Sequence, residues 1–295
     1  VIVDALLGTG IYGPLRPPYD TLIEQINASG CPVVSVDLPS GLNADTGAAE
    51  GAAVRADLTI TLAQPKTGLI TPAGLATCGR LRVVDIGILP AAVAAVDSTG
   101  EAITAADITP LLRRRASDSH KGLFGHLVTI GGSRPYTGAP ILAGTAALRV
   151  GAGLATVAVP ASIHPLLPPR LQALMIRELA DDGEGFLGPA CVAELPELAE
   201  LASAIVLGPG LGRGPGTEAV VAAVLSSDLP VVVDADALFW AAANPAVLRR
   251  RAATILTPHP GEMRGLAAAL QIDGALPPNM LAEQVARKTG ATVVY

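Results

Sequence analysis

The chain has 295 residues, half of them apolar, which is enough for two α/β domains with sizeable cores. A net charge of −6 excludes electrostatic grip on a nucleic-acid backbone as its main activity, and no apolar run stays unbroken for the length a membrane span needs. With aromatics at only 3%, the core has to be built from small aliphatics, which suits parallel sheets under closely packed helices.

Short β-branched runs predict strands over 1–5, 32–37, 57–62, 81–86, 127–131, 154–159, 204–207, 230–234, 253–256 and 291–295. Helical windows lie between many of them, among them 19–28, 139–150, 215–226 and 261–270. This alternation predicts right-handed βαβ units and two doubly wound parallel sheets. Residues 140–160 are strongly apolar, but Arg149, Gly144, Gly151 and Gly153 interrupt them, so they read as a buried helix followed by a buried strand. A composition break between Leu89 and Ser119 holds Pro90, Asp97-Ser98-Thr99-Gly100 and Arg113-Arg114-Arg115. It divides the chain into a domain over 1–90, a linker over 91–118 and a domain over 119–295, with the arginine run as a solvated helix end.

Cys31, Cys78 and Cys191 lack ligand spacing and read as small core residues of a protein in a reducing cytoplasm. No basic, apolar leader is visible at the start. The chain opens inside one strand pattern, Val1-Ile2-Val3, and stops inside another, Thr292-Val293-Val294-Tyr295. A segment of a longer protein is expected, because a terminal strand without neighbours leaves its backbone unpaired.

Two loops stand out in the first domain. Asp4-Ala5-Leu6-Leu7 runs into Gly8-Thr9-Gly10-Ile11-Tyr12-Gly13-Pro14, a glycine-rich stretch whose backbone can approach a phosphate closely. Val36-Asp37-Leu38-Pro39-Ser40-Gly41 ends the next strand. In an open parallel sheet both loops lie at the carboxyl edge, where ligands bind. Asp4 and Asp37 end neighbouring strands, so their carboxylates are expected to face one crevice. For Asp37 the competing reading is a cap or turn aspartate.

The second domain repeats the pattern. Gly131-Gly132-Ser133 follows a strand, and Tyr136-Thr137-Gly138-Ala139-Pro140 opens a helix. Leu207-Gly208-Pro209-Gly210-Leu211-Gly212 and Val233-Asp234-Ala235-Asp236 follow two further strands. The last loop, Leu256-Thr257-Pro258-His259-Pro260-Gly261-Glu262, holds a histidine between two prolines at a helix mouth, where unpaired N–H groups favour an anion. His259 is a ligand contact or an acid/base on this reading. The plainer alternative is a turn histidine with a satisfied hydrogen bond.

The first set of motifs, together with Pro65-Lys66-Thr67-Gly68-Leu69 and Val84-Asp85-Ile86-Gly87-Ile88, resembles the second half of the NAD(P)HX epimerase domain. The second set resembles the ADP-dependent NAD(P)H-hydrate dehydratase domain of the ribokinase-like fold. The resemblance implies an α/β protein, with the C-terminal half of a Rossmann-like epimerase domain followed by a ribokinase-like doubly wound domain lacking its C-terminal part. It implies repair of hydrated NADH and NADPH. The epimers of NADHX and NADPHX are interconverted, and the (S) form is dehydrated after a nucleotide phosphorylates its hydroxyl.

By resemblance, Asp4 and Ser40 help hold a potassium ion, and Gly8, Thr9, Gly10, Ile11, Tyr12, Gly13 and Pro14 cradle the dinucleotide. Asp37 contacts the hydrated nicotinamide as a possible acid/base. Gly138, Ala139, Gly210 and His259 contact the nucleotide in the second domain. ADP or ATP, Mg²⁺ and K⁺ are the implied cofactors, and a cytoplasmic homo-oligomer with no nucleic-acid or membrane partner is expected. The sequence departs from the pattern in three places. It has no Asn-Asn-Gly-Gly-Asp-Gly loop, no Lys-Gly-x-x-Thr nucleotide loop and no Gly-Thr-Gly-Asp loop with the dehydratase aspartate. Two other readings stand beside this one: a ribokinase-like kinase of a vitamin alcohol, and an inactive nucleotide-binding fragment.

Overall fold

Strand and helix alternate along the chain in a computed structural model that describes residues 1–96, 100–112, 114–167 and 173–295. The residues form two compact units, Val1–Arg113 and Arg114–Tyr295. Asp97, Ser98, Thr99 and Arg113 of the expected linker lie outside the described residues.

The first unit starts with β1 (Ile2–Asp4), α1 (Tyr19–Ala28), β2 (Val33–Val36) and β3 (Leu58–Leu62). It continues with α2 (Pro72–Cys78), β4 (Arg80–Val84) and the short helices α3 (Pro90–Ala94) and α4 (Ala105–Ile108). Its sheet has the order β1-β2-β3-β4, and every neighbouring pair is parallel. The register sets Asp4 beside Ser35 and Ser35 beside Thr59. These three polar residues share the covered face, where all are buried. α1 closes part of that face by burying Ile23 against Val33 and Val54. α2 is capped by Thr71, whose Oγ1 accepts from the Gly74 N–H at 3.1 Å, and it brings Cys78 against Leu38, Leu42 and Leu69.

The second unit carries β5 (His126–Ile130), α5 (Gly138–Val150), β6 (Leu154–Pro160), β7 (Met175–Leu179) and α6 (Leu195–Leu201). Then follow β8 (Ala204–Leu207), α7 (Thr217–Leu225), β9 (Val231–Val233), α8 (Asp236–Ala243) and β10 (Thr254–Leu256). α9 (Pro260–Ala269), α10 (Pro278–Thr289) and β11 (Thr292–Val293) complete it. The strand order is β11-β10-β9-β8-β5-β6-β7. The chain builds outward from β5 through β6 to β7, then crosses back to β8 and builds the other way. The order therefore reverses between β5 and β8, the place where an open α/β sheet leaves a crevice at its carboxyl edge. The core under the sheet joins Val128, Ile130, Leu207, Val233 and Leu256 to Val220, Leu238, Met263 and Val285 from the helices.

Three sequence expectations need correction. Strand β7 was not expected: Met175-Ile176-Arg177-Glu178-Leu179 mixes charges into an edge strand, which hides the apolar signal while protecting the edge. α5 is not buried. Pro140 and Gly144 are its only buried residues, and Leu142 and Val150 are 72% and 81% exposed, because one stripe of the helix suffices to cover β5 and β6. Cys31 is exposed, whereas Cys78 and Cys191 are buried; burial and the nearby Glu194 push the Cys191 thiol up to about 11. Arg114 and Arg115 of the arginine run are exposed, and the Arg115 guanidinium lies 4.3 Å from the Phe124 ring centroid and donates to the Gly151 carbonyl at 2.8 Å.

Candidate functional site

In the first unit the end of β1 is a buried polar knot. Asp4 is 1% exposed. Its Oδ2 accepts from Ser35 Oγ at 2.7 Å and from the Ser40 N–H at 2.9 Å, and its Oδ1 accepts from Ser40 Oγ at 2.6 Å and the Leu6 N–H at 3.4 Å. Ser40 Oγ in turn accepts the Leu7 N–H at 2.9 Å. The knot fastens the start of the glycine-rich loop to the loop after β2. Asn43, which the motif reading passed over, adds a second tie through its side-chain amide to the Ile11 carbonyl at 3.2 Å. Between these ties the loop is open: a Cβ on Gly8, Gly10 or Gly13 would meet nothing within 4 Å, and Tyr12 is 75% exposed.

Asp37, expected to face one crevice with Asp4, engages a different set of groups. A left-handed backbone, φ 70°, turns Asp37 toward β3, a conformation aspartate tolerates better than most residues. Its Oδ1 accepts from the Leu62 N–H at 3.0 Å, from Thr61 Oγ1 at 3.4 Å and from Lys66 Nζ. Lys66 Nζ also donates to Thr61 Oγ1 at 3.1 Å and the Leu62 carbonyl at 2.9 Å, so all three ammonium protons have acceptors. Burial pushes the Asp37 carboxyl up, but the Lys66 hydrogen bond and charge and the Leu62 N–H outweigh it and hold the group below the usual carboxylate range. Lys66 is the functional candidate that residue-by-residue reading missed. The available signal was a lysine directly after a strand that ends at the same sheet edge as Asp37.

The pair has a pH signature with a definite sign. A carboxyl held below its unfolded value stabilises the fold above that value, about 3.9, and loses the contribution as the pH falls through the lower folded value. In Lys66→Met the desolvation stays while its main offset goes, so the Asp37 carboxyl is expected to titrate at higher pH than in the parent chain. Carbon-detected NMR of the Asp37 carboxyl checks this, and an unmoved titration curve would remove the pair from the account.

In the second unit the loops after β5 and β8 meet at the strand-order reversal. The Gly132 N–H donates to the Pro209 carbonyl at 3.0 Å, and Ser133 Oγ donates to the Gly210 carbonyl at 2.8 Å. Gly210 sits at φ 67°, where an added Cβ would lie 2.7 Å from the Tyr136 carbonyl oxygen and 3.3 Å from the Ala139 Cβ. Gly210 and Ala139 are thus neighbours, and the N-terminus of α5 begins beside them at Gly138. The loop after β9 reinforces the arrangement: the Gly212 N–H donates to Asp236 Oδ2 at 2.9 Å, and Arg213 Nε donates to Asp236 Oδ1 at 3.2 Å. Asp234 Oδ1 accepts from Thr257 Oγ1 at 2.9 Å.

His259 stands on the same carboxyl edge, after β10, as the N-cap of α9. Its Nδ1 accepts the Gly261 N–H at 2.9 Å, while Glu262 closes a capping box by accepting the His259 N–H at 2.9 Å. The plainer alternative, a turn histidine with a satisfied hydrogen bond, therefore describes Nδ1. Nε2 lies 3.2 Å from Glu262 Oε1, and the side chain is 67% exposed. That leaves the ring available to a ligand.

Residues 127–295 match the family described as NAD(P)H-hydrate dehydratase, and residues 1–68 match the one described as YjeF-related protein N-terminus. The chain is 41% identical over 262 residues to the bifunctional NAD(P)H-hydrate repair enzyme Nnr of Coxiella burnetii, covering 89% of this chain and 51% of that protein. It is 40% identical over 279 residues to the enzyme of the same name from Moorella thermoacetica, covering 92% and 53%. A solved ribokinase-like superfamily protein from Enterococcus faecalis superposes with a TM-score of 0.50 at 28% identity, over 61% of this chain and 60% of that one. The chain spans about half the length of the curated relatives it matches. With a ribokinase-like neighbour and a family match over more than half its residues, the chain belongs to the NAD(P)H-hydrate dehydratase family.

Proposed function

We propose that this chain acts in the repair of hydrated NADH and NADPH, with epimerisation of (R)- and (S)-NAD(P)HX at the first unit and nucleotide-dependent dehydration of (S)-NAD(P)HX at the second. The observation that carries the proposal is the meeting of Gly210 with Ala139 and the α5 N-terminus at the point where strand order reverses. Gly138, Ala139, Gly210 and His259 contact the substrate there, through backbone N–H groups and one exposed imidazole. In the first unit the open loop Gly8-Thr9-Gly10-Ile11-Tyr12-Gly13-Pro14 receives the dinucleotide. Asp37 takes up and returns the proton at its carboxylate, and Lys66, bonded to it, holds that carboxylate in place.

A donor nucleotide, ADP or ATP, supplies the phosphoryl group that turns the hydroxyl into a leaving group. Mg²⁺, an ion usually held through few carboxylates and the phosphates themselves, would come to the second unit with the donor nucleotide. Asp4 and Ser40 offer carboxylate and hydroxyl oxygens, the donor chemistry a hard cation such as K⁺ takes. In the structure these oxygens are already met by protein donors. A cytoplasmic homo-oligomer belongs to the same proposal. No helix among the described residues is long and apolar enough to cross a membrane.

Chromatography of the two NADHX epimers tests the first activity, and regeneration of NADH in the presence of ADP or ATP tests the second. A phosphorylated product that persists would favour a small-molecule kinase instead, and binding without turnover would favour a nucleotide-binding fragment. His259 separates contact from cap. His259→Ala is expected to cost about 1 kcal/mol of stability through the lost cap and to weaken NADHX binding. His259→Asn keeps a good capping side chain, so it is expected to melt like the parent yet bind NADHX weakly. Parent-like binding by His259→Asn would reduce His259 to a cap.

A further inference from the structure

Arg213 follows the Gly208–Gly212 stretch at the carboxyl edge of β8 and is held from two sides. Its guanidinium lies 3.9 Å from the Phe239 ring centroid, and its Nε donates to Asp236 Oδ1 at 3.2 Å. Asp236 is itself fixed, because its other oxygen accepts the Gly212 N–H at 2.9 Å and its side chain is only 19% exposed. The Arg213 side chain is 57% exposed. A guanidinium has five N–H donors in a planar fork, and only Nε–H has a protein acceptor among the described residues. An arginine whose whole task was to brace Asp236 would present its fork to the carboxylate. Here Asp236 takes one edge, Phe239 covers one face, and both terminal nitrogens are left toward solvent beside the loop that carries Gly210.

From this arrangement we propose that Arg213 is a phosphate-binding residue of the second unit, pre-set by Asp236 and Phe239 to receive a phosphate group of the dinucleotide that contacts Gly210 in the proposed function. The proposal rests on the nucleotide reading above for the identity of the ligand, and on the pinned guanidinium for the anion site itself. Arginine suits phosphate because its fork matches two oxygens at once and never loses its charge. Holding it in place beforehand spares the ordering cost a free side chain would incur on binding. Asp236 is the positioning residue: it aims the guanidinium and ties down Gly212, and touches no ligand.

Trp240, the sole tryptophan of the chain, has its ring centroid 5.2 Å from that of Phe239, so its fluorescence reports on the site. The test is a titration of the intact chain with inorganic pyrophosphate and, separately, with NADHX. Both are expected to bind the parent, more weakly as KCl is added. Arg213→Gln is expected to raise both dissociation constants about tenfold or more with an unchanged melting temperature, and Arg213→Lys to recover part of the loss. Asp236→Asn keeps an acceptor for the Gly212 N–H but frees the guanidinium, so an intermediate loss is expected. NADHX and pyrophosphate binding that Arg213→Gln leaves unaltered would overturn the inference while leaving the repair reading intact. Arg213-dependent pyrophosphate binding without any NADHX binding would support the anion site and sink the repair reading. A parent that binds neither probe would overturn both.

Discussion

Asp4→Ala is expected to destabilise the first unit by roughly 3–5 kcal/mol, from about 1–3 kcal/mol for each buried donor left unpaired, a large fraction of the stability of an ordinary domain. The carboxylate is 1% exposed, and Ser35 and Ser40 around it are 0% exposed. Removing it strands the Ser35 hydroxyl and the Ser40 N–H and leaves the Ser40 hydroxyl only the Leu7 carbonyl at 3.4 Å, where water cannot replace the lost acceptor. Asp4→Asn keeps one acceptor but turns an NH₂ group toward donors, so an intermediate loss is expected. Urea denaturation followed by circular dichroism should show an early transition in both variants. A midpoint within error of the parent for Asp4→Ala would mean that the knot does not hold the unit together. The same experiment in KCl against LiCl bears on potassium: extra protection by K⁺ in the parent, absent in Asp4→Asn, supports an ion at these oxygens.

The second large effect is expected from Gly208→Ala. Gly208 has φ 116°, and an added Cβ would stand 1.9 Å from the Asp234 carbonyl oxygen and 2.7 Å from the Ala237 Cβ. No rotamer relieves a clash between backbone and backbone, so the β8 loop must leave its place, taking with it the Gly132–Pro209 and Ser133–Gly210 hydrogen bonds. The cost is expected to exceed about 4 kcal/mol, in the range reserved for backbone conflicts and core disruption, and NADHX binding is expected to vanish. Gly10→Ala is the control, since an added Cβ there meets nothing within 4 Å. It should leave stability within about 0.5 kcal/mol of the parent and disturb only the approach of a ligand to the loop. If Gly208→Ala melted like the parent and bound NADHX, the crevice described at the strand-order reversal would be wrong.

The contrast between Gly208 and Gly10 shows where sequence reading stops. Both stand in glycine-rich loops after a strand, and nothing in the two strings says that one glycine is demanded by its own fold and the other is not. That distinction arises only when β9 and its carbonyl are set beside β8. Asp4 and Asp37 make the same point. Each ends a strand of one sheet, so sequence logic sent them to one crevice. Side-chain direction and a left-handed φ at Asp37 send one into the knot under Ser40 and the other to Lys66, four residues past the end of a third strand.

By itself the sequence determined the α/β class, the two parallel sheets, ten of the strands that formed and the loops that stand at their carboxyl ends, because alternation of β-branched runs with helical windows is a local signal that burial enforces. It also determined family membership, through strings such as Leu256-Thr257-Pro258-His259-Pro260-Gly261-Glu262 and Gly208-Pro209-Gly210-Leu211-Gly212. Tertiary structure alone decided the order of strands, and with it the reversal between β5 and β8 that makes neighbours of Gly210 and Ala139. It decided the edge strand β7, whose charges mask its pattern, the open flank of α5, and the pairing of Asp37 with Lys66 and of Arg213 with Asp236. These belong to contacts between residues distant in the chain, fixed by packing and hydrogen-bond closure, for which no short window of sequence carries a signal.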